Sequence, residues 1–486
     1  MNETDARAFL LVRAIESTDA ERRIWSDEDR AWATRAAAEV VGSEAPAGTF
    51  LARRAELALE RLGGRHASVL RAARIATWRP WIGWASVAFA LIAGVAVDQI
   101  GAGRRVNVLA LPLLGLLAWN LLAYVLVAAR SATAAAGRFD LAGPLRGLIG
   151  RLGHATLPVL REREPLIARA LGRFAADWTS ASLPLAAARV SRILHLAALA
   201  FAIGVLAGMY ARGMVMEYRA GWESTFLDAP AVSRILHVVL GPASQLTGIA
   251  LPDVARLEAM RLPQGEGERA APWLHLYAVT VGLFVLLPRA VLALVAGVLA
   301  QRRAARFFDA GTDVYAQRLE RQLRGDASRV QLLPYAMSLS SVAGANLAAL
   351  MARVYGAKAV IEVGEAIAWG AEEGMERAAI GEGATALWVL FPASATPERE
   401  NHGTFISALR GRLGRGVPLL ALVDESAFRK RFADIPARLT QRRVAWQALM
   451  DEYELPVVFV DLEAPDLPAA ESAANAAVER GARGAA

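Results

Sequence analysis

The chain has 486 residues, of which 55% are hydrophobic and 21% charged, with a formal net charge of +7. With that many charges and a mean hydropathy of +0.32, the apolar excess must lie in discrete segments rather than in one soluble core. Cysteine is absent, which excludes disulfides, thiolate metal sites and cysteine nucleophiles; the basic excess is almost all arginine, broken only by Lys358 and Lys430, and reads as compositional bias rather than as a nucleic-acid surface.

Residues 1–78 alternate charged and apolar positions at helical spacing, which predicts a cytoplasmic region of about three amphipathic helices and no signal peptide. Asn2 or Thr4 is the expected first cap, and Ser26, followed by acids, starts the second helix. So short a region makes a thin core alone, so the C-terminal domain is its expected partner surface.

Residues 79–303 read as a transmembrane domain. Four runs approach the roughly 20 apolar residues that cross hydrocarbon: 81–97, 106–129, 193–211 and 273–292. Arg71, Arg74 and Arg79 precede the first run, and Arg302, Arg303 and Arg306 follow the last. The segment 131–192 holds nine Arg against four acids, whereas 212–272 has no such excess. The arginine bias predicts a multi-pass protein with both termini and 131–192 cytoplasmic and 212–272 outside. Trp78, Trp81 and Trp84, and on the other face Tyr210, Trp222 and Trp273, are the expected interfacial aromatics. Polar residues in hydrocarbon are costly and mark sites: Asn120, His195, His275 and Arg289. Sixteen residues past Trp273, at about 1.5 Å each, place Arg289 roughly 24 Å deep, where it is expected to snorkel to the cytoplasmic headgroups. Asn120 is expected to make an interhelical hydrogen bond, and the two histidines to sit near opposite interfaces.

The outer loop opens RGMVMEYRAGWESTFL, Arg212 to Leu227. Glu217, Tyr218, Arg219, Trp222 and Glu223 form its polar-aromatic motif, with Glu217, Arg219 and Glu223 expected to pair with one another. Val232 to Leu240 predicts a short amphipathic helix, stopped by Gly241-Pro242, on the membrane surface or capping the bundle.

Residues 304–486 alternate short β-rich runs with helical ones. Fully apolar strands such as ALWVLF, PLLALV and PVVFV require a parallel sheet covered on both faces, so a doubly wound α/β cytoplasmic domain is expected. Ligands of such sheets lie beyond the carboxyl ends of the strands, where two polar loops occur. In SATPERENHG, Thr396 is the expected N-cap before Pro397, and Glu398, Glu400 and His402 follow, with Glu398 and His402 one turn apart. Asp424 and Glu425 close the next strand and either bind a ligand or start a helix. The element order is GTPase-like, yet the chain lacks a P-loop: no G-x-x-x-x-G-K-[ST] occurs. G-x-S-x-G and H-E-x-x-H are missing too, so no metal, cofactor or hydrolytic chemistry is expected.

LGLLAWNLLAY (114–124), RGMVMEYRAGWESTFL, Leu287-Pro288-Arg289 and TPERENHG (396–403) together resemble a bacterial membrane family catalogued as domain of unknown function 2868, over most of the chain. The resemblance implies a polytopic inner-membrane protein frequently encoded beside a predicted GTPase. It implies no assigned activity. The expectation is thus a membrane anchor or regulator presenting an α/β domain to a partner such as that GTPase. The alternatives are a transporter or channel subunit, which with four spans requires a homo-oligomer, and a membrane enzyme using Glu398, His402 and Asp424.

Overall fold

A computed structural model describes residues 1–75, 77–97, 105–109, 111–135, 164–262, 265–356, 358–370, 383–413 and 417–485. Residues 136–163 of the expected cytoplasmic segment 131–192 therefore lie outside the described residues. The chain divides into two compact units, 1–76 with 157–178 and 306–486, and 77–156 with 179–305.

The first unit begins with α1 (Glu3–Thr18), α2 (Asp27–Val41), α3 (Ala47–Arg65) and α4 (Ala67–Ile75). Asn2 caps α1 by accepting from the Asp5 N–H, and Ser26 caps α2 by accepting from Asp29, as their short polar side chains favour. Each helix turns an apolar face inward, with Phe9, Trp25 and Phe50 fully buried.

The remainder of this unit is α/β: α12 (Val314–Arg324), β4 (Arg329–Pro334), α13 (Ser341–Tyr355), β5 (Val360–Val363), β6 (Ala386–Pro392), α14 (Thr404–Arg412), β7 (Leu419–Asp424), α15 (Ser426–Arg431), α16 (Pro436–Glu452), β8 (Val457–Val460) and α17 (Leu467–Ala485). The sheet order is β5-β4-β6-β7-β8, parallel throughout. Its first strand in sequence thus lies between its second and third, the flavodoxin-like order of doubly wound sheets. Alternate residues of β6 serve both faces. Ala386, Trp388 and Leu390 pack under α13 and α17, while Leu387, Val389 and Phe391 pack against α14 and α16. This two-sided burial is why these strands read as unbroken apolar runs.

The second unit contains α5 (Pro80–Ala96), β1 (Arg105–Asn107), α6 (Leu111–Ala135), most of α7 (Pro165–Val215), β2 (Arg219–Gly221), α8 (Ala229–Thr247), α9 (Val254–Ala259), β3 (Glu268–Arg269), α10 (Ala271–Val281) and α11 (Leu287–Ala305). The segment α10–α11 is one helical rod, Ala271–Ala305, interrupted by a π turn at Gly282–Leu286. This rod and α7 are long and apolar enough to cross a membrane, and two shorter apolar helices, Pro80–Ala96 and Leu114–Ala129, accompany them. Their outer faces stay apolar: Trp81, Phe89, Ile92, Trp119 and Leu294 are each more than 60% exposed.

Several boundaries differ from the sequence reading. Residues 105–107 are not the head of the second apolar helix but a strand, parallel to β2, which in turn pairs antiparallel with β3. The third apolar run is part of the 51-residue α7. Helix α8 runs through Gly241-Pro242 and stops at Gly248, whose left-handed φ of 71° suits glycine. Burial of Leu240 and Ala243 against Trp222 and Tyr277 outweighs the hydrogen bond that Pro242 forfeits. Helix α8 therefore packs on α10 within this core rather than standing alone.

Candidate functional site

Proline chemistry builds the centre of the second unit. Pro288 has no N–H, so the carbonyl four residues back, Phe284, loses its helical donor. The π turn Gly282–Leu286 occurs at this weak point, and the Tyr124 hydroxyl of α6 donates to Phe284 O at 3.0 Å. That bond sets the Tyr124 ring beneath Arg289, whose guanidinium carbon lies 5.3 Å from the ring centroid. Arg289 Nε donates to Asn120 Oδ1 at 2.7 Å, and Nη1 to His195 Nδ1 at 3.1 Å. A guanidinium has donors only, so His195 accepts and carries its proton on Nε2. Asn120 Nδ2 donates in turn to Leu116 O at 2.8 Å.

Three of the four polar residues predicted in the apolar runs, Asn120, His195 and Arg289, thus meet in one cluster that ties α6, α7 and α11 together. Arg289 is only 7% exposed. It turns inward, where Asn120 and His195 supply acceptors, instead of snorkelling outward. His275 stands apart, its Nδ1 2.8 Å from the Tyr210 hydroxyl. No Asp or Glu occurs in 80–97, 105–135, 179–216 or 270–308, and Arg289 has no ion pair among the described residues. Its charge is held by neutral dipoles and the Tyr124 ring. Sequence reading missed Tyr124; its signal was the carbonyl that Pro288 orphans four residues upstream.

In the motif after α7, Tyr218 and Trp222 are buried within the unit, so Trp222 does not face the headgroups as expected, and its Nε1 donates to Leu257 O at 2.7 Å. Trp273 is buried likewise, donating to Glu268 at 2.7 Å. Arg219 does not bridge Glu217 and Glu223, which are both exposed. It binds the Glu266 and Gly267 carbonyls at 2.8 and 2.9 Å, because β2 pairs with β3 and carries it there. Phe226, at 94% exposure, projects from this region.

At the carboxyl edge of the α/β sheet, the helix starts two residues later than Thr396 and Pro397 suggest. Thr396 accepts from Arg442 at 3.3 Å, and a π turn spans Arg399–Gly403. The Glu398 N–H donates to His402 Nδ1 at 3.2 Å, while the Glu398 carboxylate accepts from Asn401. The two side chains therefore do not face each other as an acid/base pair. Glu400 is exposed, its carbonyl accepting from Thr404. His402 is fully buried, with its ring centroid 4.8–5.5 Å from those of Trp446, Trp369, Tyr335 and Phe391. These rings fill the crevice between the ends of β4 and β6, the switch point where ligands of such sheets bind. Asp424 accepts from the Ser426 and Leu462 N–H groups at 3.1 Å. Buried Glu425 pairs with Arg429 at 2.9 Å and with Arg443. These two residues start α15 and staple β7 to β8.

One family model matches the chain, over residues 129–334, and its description is "Protein of unknown function (DUF2868)". The Arg212–Leu227 motif and Leu287-Pro288-Arg289 fall inside the matched residues; 114–124 and 396–403 fall outside them. No curated protein and no solved structure matches.

Proposed function

We propose that this chain, which over residues 129–334 belongs to that family of unknown function, is a four-span inner-membrane anchor or regulator that presents an α/β domain to a cytoplasmic partner. One observation carries the reading. The first unit is assembled from residues before, between and after the apolar helices, and ion pairs tie the three stretches together. Arg13 of α1 pairs with Asp177 at 2.6 Å and with Asp313, and Arg173 pairs with Glu479 of α17 at 3.0 Å. Segments in such contact share one side of a membrane, so the chain crosses an even number of times on each excursion. Helices α5 and α6 make the first excursion, and α7 with the α10–α11 rod the second. The connections β1, β2 and β3 at the other ends pair in one sheet, which supports the same count. The arginine-rich flanks put the first unit, with both termini, in the cytoplasm. The domain is GTPase-like only in alternating strands and helices. With no P-loop lysine and an aromatic-filled switch point, it serves as a docking body rather than a nucleotide hydrolase.

The absence of cysteine makes the topology directly testable. Single substitutions Val40→Cys, Phe226→Cys and Val444→Cys lie at exposed positions. A membrane-impermeant maleimide should label Phe226→Cys on intact spheroplasts, and Val40→Cys and Val444→Cys only after lysis. Labelling of all three from outside, or of Val40→Cys and Val444→Cys from opposite sides, refutes the arrangement.

A second reading rests on Arg289, a buried cation with no carboxylate partner among the described residues: an oligomeric anion conductor. Chloride flux from proteoliposomes that Arg289→Gln abolishes would favour it. A flux equal to that of empty liposomes leaves the anchor.

A further inference from the structure

Within the first unit, a cavity of about 570 Å³ lies between α2 and the α12–β4–α13 region, at the amino ends of β4 and β5. This is the opposite end of the sheet from the filled switch point. Eight arginine and lysine side chains line the cavity, against three carboxylates. Some of these cations are accounted for. Arg54 pairs with Glu16 at 2.7 Å, Arg22 with Asp27 at 2.8 Å and Glu471 at 2.7 Å, and Arg353 with Glu471 at 2.8 Å.

Of the others, Arg30, Arg318 and Arg321 make hydrogen bonds only to neutral groups, although the Glu16 carboxylate also attracts Arg30, and Glu320 and Asp326 attract Arg321. Arg30 donates to the Trp25, Glu16 and Asp19 carbonyls at 3.1–3.2 Å. Arg318 donates to Val354 O at 3.1 Å, a carbonyl in the last turn of α13, which accounts for part of its placement. Its Nε is buried with no hydrogen-bond partner. Arg321 Nε donates to Ser328 Oγ at 3.1 Å. None of the three has an ion pair among the described residues, and exposed Arg35 and Lys358 complete the lining. Burial, with repulsion from Arg22 and Arg318 on Arg30 and from Arg318 on Arg321, outweighs the nearby carboxylates and pushes both guanidiniums below their ordinary value. Crowded, desolvated like charges destabilise a fold unless an anion completes them.

We propose that this cavity binds a small anion carrying two or more phosphate groups, held by Arg30, Arg318 and Arg321 with Arg35 and Lys358 at its rim. Guanidinium forks match phosphate oxygens in pairs, and the volume falls within the usual range of small-molecule pockets, roughly 300–1,000 Å³. One phosphate cannot satisfy this many cations, which is why two or more are specified. The inference stands apart from the anchor reading, because it needs only the first unit.

The test uses the full chain in phosphatidylcholine nanodiscs, titrated with pyrophosphate at constant ionic strength and followed by calorimetry and thermal unfolding. Saturable binding with a Kd of about 1–100 μM and a raised unfolding midpoint are expected. Arg321→Gln should weaken binding about tenfold or more. It should not lower the midpoint of the unliganded protein, because removing one crowded cation relieves repulsion; a merely structural arginine would lower it. Arg35→Gln, at the exposed rim, should weaken binding without touching the fold. Replacing half the lipid with phosphatidylglycerol separates two sources of the phosphate. Unchanged pyrophosphate affinity indicates a soluble ligand, whereas competition lost in Arg321→Gln indicates a headgroup in the same site. No binding up to about 1 mM pyrophosphate, or binding indifferent to both substitutions, overturns the proposal.

Discussion

Glu16 shows how a single buried charge is made tolerable. Burial works against its ionisation. The Arg54 and Arg30 guanidiniums and the Tyr315 hydroxyl, at 2.7 Å, outweigh it and hold the carboxyl at about 2, against an ordinary value of 4.5. A carboxyl whose folded pKa is depressed contributes stability above its unfolded pKa and loses it as pH falls through the folded one. Removing it leaves Arg54 buried without a counter-ion, which costs roughly 3–5 kcal/mol. Glu16→Gln should therefore unfold earlier in urea by about that amount. The gap should be constant from pH 8 to pH 5 and shrink between about 4.5 and 2. A gap independent of pH down to 2 would contradict the ionised pair. Arg289 solves the same problem differently, with dipoles in place of a counter-ion, and that difference is visible only once Asn120, His195 and Tyr124 are seen to converge.

At the level of elements, the contact between α5 and α7 rests on backbone approach. Gly94 meets Gly204 there, and Gly208 lies one turn further along α7. A Cβ on Gly94 would run into Phe201 O, one on Gly204 into Leu91 O, and one on Gly208 would come within 2.7 Å of Val95 O. Arg212 then closes the crossing by donating to the Val95 and Val97 carbonyls, at 3.1 and 3.0 Å, at the end of α5. Small residues four apart are the usual means of bringing apolar helices together where no hydrophobic force separates helix from lipid. Gly204→Leu should thus cost about 1–3 kcal/mol in detergent unfolding. Gly115→Leu, on α6 with nothing within 4 Å, should change it little. Equal effects would remove the crossing as the cause. In the first unit the elements were easier to read, because a strand covered on both faces is apolar at every position. Strands β6, β7 and β8 stand within a residue or two of the runs that announced them.

At the scale of the whole molecule, the first unit gathers pieces of chain separated by hundreds of residues. If that unit is a docking body for the kind of GTPase that the family resemblance implies, tagged full-length chain captured from membranes should enrich such a GTPase, and the chain in nanodiscs should alter its GTP turnover. Neither enrichment nor a change in turnover would leave the anchor without this partner. Residue type and spacing alone determined roughly where the apolar helices lie, that an α/β domain follows them, and that Asn2 and Ser26 cap helices, because capping and burial under two layers select composition locally. Tertiary structure alone decided the strand order, the closure of the switch point by His402 and its rings, the meeting of Arg289 with Asn120 and His195, and the unpaired arginines around one cavity. Those depend on which distant segments touch. Hydropathy and periodicity carry no information about pairs of residues 94 or 169 positions apart, so only the folded chain shows which charges have found partners and which have not.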